Sequence, residues 1–425
     1  MVDSGFGRPV FGSPGRRSVL KAGLVTGATL AMPFVARGAS KQPIRIGQPS
    51  ILSGRLAQLG ISSRNAAQMV VDAFNAAGGL DGRTIELISR DSKGKPDEAA
   101  RVVRELINND GCQIILDSEA SSGAFAVQEV VRETGTLCIH ADSETTSLTA
   151  DPKIRAPNAF RCARQVLHDS IVGGSYAAGI AKAQGLKRWM TCSPDYVYGR
   201  DSSSEFLDYL KMFEPSVEAV GATWPKLFAP DYTENVTRIL ETKPQALYSA
   251  LYSGDLVSFI DQGNLYGLFD QVKFFAINMA DYTTLHAVKK LPAGIYSCNR
   301  YLSTFPATKS NAEWSAAYDK RYNVLPLNWA WQNALAMQFL VEAIKKTGSD
   351  DGKVLAGALR GMTVESPFGA KGTVTMRAED QTIVDYAIGW GVTIPQAPFV
   401  EGMQAADWTV IAARETEWKK QKGWA

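Results

Sequence analysis

Histidine and cysteine are scarce in this chain and net charge is nearly absent: 425 residues hold 3 His and 5 Cys, and 45 Lys+Arg stand against 43 Asp+Glu. Each shortage excludes something. Balanced charge with neither sign in long blocks removes the strong field that nucleic acid or an acidic membrane calls for, so neither is expected as a partner. His140, His168 and His286 are not paired at metal-ligand spacing. There is also no HExxH, no GxSxG, no Walker loop and no GxGxxG after the first strand. The chain is therefore expected not to be an enzyme and to carry no catalytic residue, metal or cofactor. His140, ending an apolar run, reads as a buried structural histidine. Cys112, Cys138, Cys162, Cys192 and Cys298 are odd in number and form no CxxC, so at least one thiol is free. Cys112, Cys138 and Cys192 sit in or beside apolar runs and read as small core residues. No segment reaches the ~20 apolar residues that cross a bilayer, so the mature chain is expected in solution, without insertion into a membrane.

What the chain does carry begins at its N-terminus. Arg16-Arg17-Ser18-Val19-Leu20-Lys21 precedes an apolar run from Ala22 to Val35 and a small-residue exit around Ala36 to Ser40. A basic start, a short apolar stretch and small residues make a secretory signal peptide, and the arginine pair gives it twin-arginine character. Residues 1–40 are expected to be removed, with cleavage near 38–40, and the protein to work in the periplasm. No Cys lies near the cleavage region, which argues against a lipid anchor. Some 385 residues remain, enough at ~100–200 residues per domain for two domains or one large one.

From Pro43 the pattern alternates short β-rich runs with amphipathic helical ones: Ile44–Gly47, Ser62–Ala77, Thr84–Ile88, Pro96–Asn109. This is repeated β-α-β. The first helix should stop at Gly78-Gly79, where a left-handed cap needs no Cβ. The second has Pro96 in its first turn, followed by Asp97 and Glu98 at the positive end of the helix dipole. Further strands are expected at 113–116, 137–140, 189–192, 246–249 and 274–277, giving open parallel sheets. The Pro- and charge-rich stretch 151–164 and the stretch 298–306 are candidate crossings between two such sheets. A helix at 329–346, a shorter one at 353–359 and a β-like tail over 372–392 follow.

In open α/β sheets ligands bind outside the carboxyl ends of the strands. Those loops carry hydroxyls and acids in the first half (Ser53, Ser121, Ser122, Asp142, Ser143, Glu144) and aromatics in the second (Tyr198, Tyr252), with Asn278 and Asp281 after the last strand. Such a set suits a small polar ligand clamped between two lobes. Ser121-Ser122-Gly123 opens an apolar helix, so hydroxyls and free N–H groups there can hold a carboxylate; simple N-capping is the alternative. Glu144 and Asp142 can accept from an ammonium or amide or stand solvated, and Tyr198 and Tyr252 can close over a ligand or pack in the core.

Three segments carry a resemblance: Ile46-Gly47 to Gly60 with its Leu52-Ser53-Gly54 centre, Asn75-Ala76-Ala77-Gly78-Gly79-Leu80-Asp81-Gly82-Arg83, and Asp91 followed by 96–110. In these the chain resembles the periplasmic substrate-binding proteins of ABC transporters, of the branched-chain amino acid and amide (leucine-binding-protein-like) family. The resemblance runs from about Pro43 to Leu302 and more loosely to Trp390. It implies a type I periplasmic-binding α/β fold of two Rossmann-like lobes, joined by three crossovers and closing by a hinge. The implied division is 41–162 plus about 303–360 for the first lobe and 163–302 plus about 361–395 for the second, with 396–425 as a C-terminal extension. It further implies a monomer that delivers a small solute to an inner-membrane ABC permease; a sensory module presenting the same solute to a receptor is the alternative. By position, Ser121 corresponds to the family's carboxylate-binding serine. Ser143 and Glu144 fall in the loop that holds the ligand's polar head, and Tyr198 and Tyr252 in the aromatic positions. Where amino-acid binders often place an acid for the α-ammonium, this chain has Asn278 and Met279. The cysteine pair of the first lobe is also missing, with Ser92 and Ala120 near its places. Amino acids, amides, urea and aromatic carboxylates all stay open as cargo.

Overall fold

A computed structural model describes residues 42–424. The expected signal segment, 1–40, lies outside the described residues. The first unit alternates β1 (Ile44–Ser50), α1 (Ala57–Ala76), β2 (Ile85–Asp91), α2 (Pro96–Asn108), β3 (Ile114–Asp117), α3 (Ser121–Thr134), β4 (Leu137–His140), α4 (Ser147–Ala150) and β5 (Ala159–Arg161). Its strands form one parallel sheet in the order β2-β1-β3-β4-β5. β3 and β4 are buried along their whole length, which is why Ile114-Ile115-Leu116 and Leu137-Cys138-Ile139 read as continuous apolar runs.

The chain then enters a second sheet through α5 (Val166–Gln184), β6 (Arg188–Cys192), α6 (Val197–Phe213), β7 (Glu218–Thr223), α7 (Thr233–Thr242), β8 (Ala246–Ser249), α8 (Ser253–Leu265), α9 (Leu268–Gln271), β9 (Lys273–Ala276), α10 (Tyr282–Leu285) and β10 (Tyr296–Cys298). It returns through α11 (Lys309–Tyr322), α12 (Asn328–Thr347) and α13 (Gly352–Leu359), with α12 packed along α1 and α13 against β4. A small antiparallel sheet follows, made of β11 (Thr363–Glu365), β12 (Thr373–Met376) and β13 (Ile383–Val384). Last come β14 (Gly389–Thr393), β15 (Val400–Ala405) and α14 (Trp408–Lys422). The second sheet runs β15-β14-β10-β9-β8-β6-β7, parallel from β7 to β10 and antiparallel at β14 and β15. The backbone thus passes between the two layered units three times, at 161–166, 298–309 and 384–389.

The segment 361–395 divides between the units. β11 packs on α12 and Thr382 bridges to Arg161 beside the first sheet, whereas β14 pairs with β10 in the second. Within the final stretch, expected as a C-terminal extension, β15 is an edge strand of the second sheet and α14 packs on α5. Glu415 on α14 is buried, accepts from Arg377 at 2.6 and 2.7 Å and from Lys419 at 2.9 Å, and faces His168 Nε2 at 3.1 Å. All five cysteines are buried and free. Cys192 belongs to an apolar cluster, and burial raises Cys298 to about 12. Among the described residues no helix is long and apolar enough to cross a membrane.

Candidate functional site

Between the carboxyl ends of the two sheets lies a cavity lined by both units. One wall comes from the first unit. α3 opens at Ser121 with Ala120 as its N-cap in extended backbone, and no side chain closes its first N–H groups. Ser121 is therefore not a cap, and Ala120 and Ser121 at this helix end line the cavity. Asp142 stands beside it, buried, accepting from Asn333 Nδ2 at 2.9 and 3.0 Å and from Ser63 Oγ at 3.0 Å. Burial without a cation pushes the Asp142 carboxyl well above its ordinary value. Asn333 in turn meets Gln48 and Ser118, so this wall rests on a buried network of neutral donors.

The opposite wall is aromatic. Tyr196 and Tyr198 come from the start of α6, and Tyr252 precedes α8. The rings of Tyr198 and Tyr252 meet edge-on at 5.9 Å, and the hydroxyls of Tyr196 and Tyr252 are 3.1 Å apart. Gly199 makes this bend possible, because a Cβ there would lie 2.0 Å from the Pro194 carbonyl. Burial raises the Tyr198 phenol to about 12, so it stays protonated.

Arg300 joins the two walls at the floor. Its Nη2 donates to Glu144 Oε2 and, at 3.1 Å, to Tyr198; its Nη1 donates to Asp169 at 2.7 Å and its Nε to Asn278. Asp169 is also held by Arg164, so two arginines and two acids alternate in a buried chain. Burial alone would lower the Arg300 guanidinium, but Glu144, Tyr198 and Asp169 carry it well above its ordinary value. Burial pushes Glu144 up while Arg300 pulls it back, and its second oxygen accepts from Asn328 Nδ2 at 2.9 Å. Asp281 is spent in the same way, accepting from Thr283 N at 2.9 Å and from Asn328 N at 2.7 Å. Every acid of the cavity already has donors.

Of the residues expected from sequence, the structure brings Ser121, Glu144, Tyr198, Tyr252 and Asn278 to this one cavity. Three others stand apart. Ser53 bonds to Asp91 at the rim, Ser122 lies one step round α3, and Ser143 is fully buried with an unpartnered hydroxyl. The expectation for Glu144 is corrected too: it meets a guanidinium of its own chain, not an open space for an ammonium. Sequence reasoning missed Arg300 and Asn328, which come from the second crossing and the start of α12, and Tyr196, which sits two residues before Tyr198. Among the described residues no group of acidic, His or Cys side chains is arranged to hold a metal ion.

Comparison with known proteins agrees with this architecture. The family model for periplasmic binding proteins matches residues 43–388. A Leu/Ile/Val-binding protein homolog of Brucella abortus is 26% identical over 369 residues, covering 81% of this chain and 83% of its own. A leucine-, isoleucine-, valine-, threonine- and alanine-binding protein of Pseudomonas aeruginosa is 24% identical, covering 80% and 88%. Among solved structures, an ABC-transporter solute-binding protein of Rhodopseudomonas palustris in complex with 3,4-dihydroxybenzoic acid superposes with TM-score 0.77 at 24% identity, covering 86% of this chain and 96% of its own. A branched-chain amino acid transporter substrate-binding protein of Streptococcus pneumoniae in complex with isoleucine gives 0.72 at 20% identity, covering 86% and 99%. With two three-crossover α/β units around a shared cavity and most of its length matched, the chain belongs to the periplasmic binding protein family, whose extracytoplasmic, non-enzymatic members include the leucine-binding-like solute receptors of ABC transporters.

Proposed function

We propose that this protein captures a small aromatic carboxylate between its two lobes in the periplasm and delivers it, as a monomer exported by a twin-arginine signal, to an ABC permease. One observation carries the choice of cargo: the cavity offers an uncapped helix end with Ser121 opposite three tyrosines, while its acids are already engaged by Arg300, Asn328, Thr283 and Asn333. A carboxylate finds donors at the helix end and an aryl ring finds aromatic partners. An α-ammonium finds no free acid, and seating one would mean breaking a buried ion pair. Relatives named for branched-chain amino acids keep the other cargo in contention.

Closure then follows from differential binding: a ligand touching both walls stabilises the arrangement in which they face each other. The test is a thermal-shift and calorimetric screen of residues 41–425 against benzoate, 4-hydroxybenzoate, 3,4-dihydroxybenzoate, leucine and isoleucine. Ligand bound only by the native state raises Tm by mass action. A rise with the aromatic acids and none with leucine is expected; the reverse order would overturn the aromatic reading and leave the family assignment standing.

A further inference from the structure

Ser53 lines no cavity, yet its loop is tightly built. Asp91 Oδ1 accepts from Leu52 N and Lys93 N, both at 2.9 Å, and Ser53 bonds to the same carboxylate. Gly54 then turns the chain at φ +78°, which favours a residue without a Cβ. This aims Arg55 across the mouth of the cleft. Its Nη1 donates to the Ala229 carbonyl at 3.1 Å and lies 3.5 Å from Asp255 Oδ1, both on the other lobe.

The acceptor side is equally prepared. Asp255 is buried to 4% exposure, with its other oxygen bonded by Phe228 N at 2.8 Å. Arg55 is the one cation within ion-pair distance of it among the described residues. Asp255 stands in the first turn of α8, two residues after Ser253 and three after Tyr252, which both line the cavity. Behind the pair, Leu56 and Leu59 of the first lobe pack in one apolar cluster with Trp329, Tyr252 and Tyr282. Opening the cleft would expose that seal and strip Asp255 of its cation.

We propose that Arg55 is a latch: a positioning residue that never touches the solute but holds the closed cleft through Ala229 and Asp255, and so sets how long a solute is retained. This rests on the solute-binding reading above, although it names no particular solute. Because all five native cysteines are buried, cysteines placed at the exposed Asp97 on α2 of the first lobe and Glu234 on α7 of the second can carry a donor–acceptor pair. In protein without ligand, the wild type should show a closed population, and Arg55→Ala should raise the open-to-closed ratio about two- to fivefold, as expected for a half-exposed ion pair. Arg55→Lys should restore part of the closure, and added salt should open the wild type but not the alanine variant. A wild type with no closed population, or an alanine variant with an unchanged distance distribution, would overturn the latch. With benzoate and 4-hydroxybenzoate as probes, koff should rise by the same factor for both; a factor that differs between them would mean that Arg55 reads the ligand, and would also overturn it. Should neither acid bind, the cargo reading fails while the ligand-free measurement still decides the latch.

Discussion

The two walls of the cleft solve the burial of polar groups in different ways. On the first lobe, Asp142 sits among Ser63, Asn333, Ser118 and Gln48, with hydrogen bonds and no cation. At the floor between the lobes, Glu144 of the first and Asp169 of the second are neutralised by Arg300 and Arg164. A carboxyl meeting only neutral donors relieves its desolvation by keeping its proton, whereas one meeting a guanidinium keeps its charge and depends on that partner. The first wall is therefore a hydroxyl-bearing surface whose carboxyl is raised by burial, set beside a rigid ionic floor under an aromatic face. On the proposed aromatic-carboxylate reading, a ligand that joins them would meet donors with its carboxylate on one side and aromatic rings on the other.

The hardest way to break this contrast is Arg300→Leu. Removing the shared cation leaves Glu144 and Asp169 buried with only Arg164 near, so unfolding stability should fall by about 3–5 kcal/mol. Urea denaturation of the ligand-free protein measures it. A loss below about 1 kcal/mol, the range of exposed pairs, would mean the floor is not dry. Next in size is Tyr252→Ala, which removes the edge-on partner of Tyr198 and one face of the cavity. Affinity for 4-hydroxybenzoate should fall by about 1–2 kcal/mol, roughly five- to thirtyfold, with little change in Tm without ligand. Equal affinity would show that the ring packs elsewhere than against the ligand.

The order of these effects mirrors what the sequence allowed one to read. The strands are legible because Ile114-Ile115-Leu116 and Leu137-Cys138-Ile139 are buried on both faces. Ser121, Tyr198, Tyr252 and Asn278 are found by a topological rule, that loops at the carboxyl ends of parallel strands face the ligand. Arg300 and Asn328 obey no such rule. They lie in a crossing and at a helix start, and only the return of the chain brings them under the cavity. Ser143 fails for a local reason: in an irregular loop neighbouring side chains point different ways, and Glu144 took the cavity side. The start of α1 is a third case. It begins at Ala57, before the Ser62 that the apolar spacing suggests, because Leu59 is buried at the mouth and Gly60 admits the Ile51 carbonyl, which a Cβ would meet at 2.0 Å. The one clear missing acid, at Asn278, was legible, and it is a ground for the proposed preference for an aromatic acid over an α-ammonium ligand.

A finer cut is Ser121→Ala. It removes one donor at a helix end whose N–H groups remain, so aromatic carboxylates should bind about fivefold more weakly, near 1 kcal/mol, with the fold intact. Unchanged affinity would assign carboxylate binding to the backbone alone.

The smallest effect separates the walls by pH. The Asp142 carboxyl is raised well above its ordinary 3.8 by burial, so the native state keeps a proton that the unfolded chain has released. Its contribution is then fully present below about 3.8 and shrinks as pH rises toward the native value, because the unfolded state binds fewer protons there. Glu144 is also raised by burial, but its guanidinium partner offsets part of the shift. Asp142→Asn, which can still accept from Asn333, should leave Tm at acid pH within a few degrees and make the decline above about pH 3.8 shallower. Parallel Tm curves for the two proteins would mean that Asp142 is ionised beside Asn333 and Ser63, and the first wall would then carry a charge that must enter any account of its ligand.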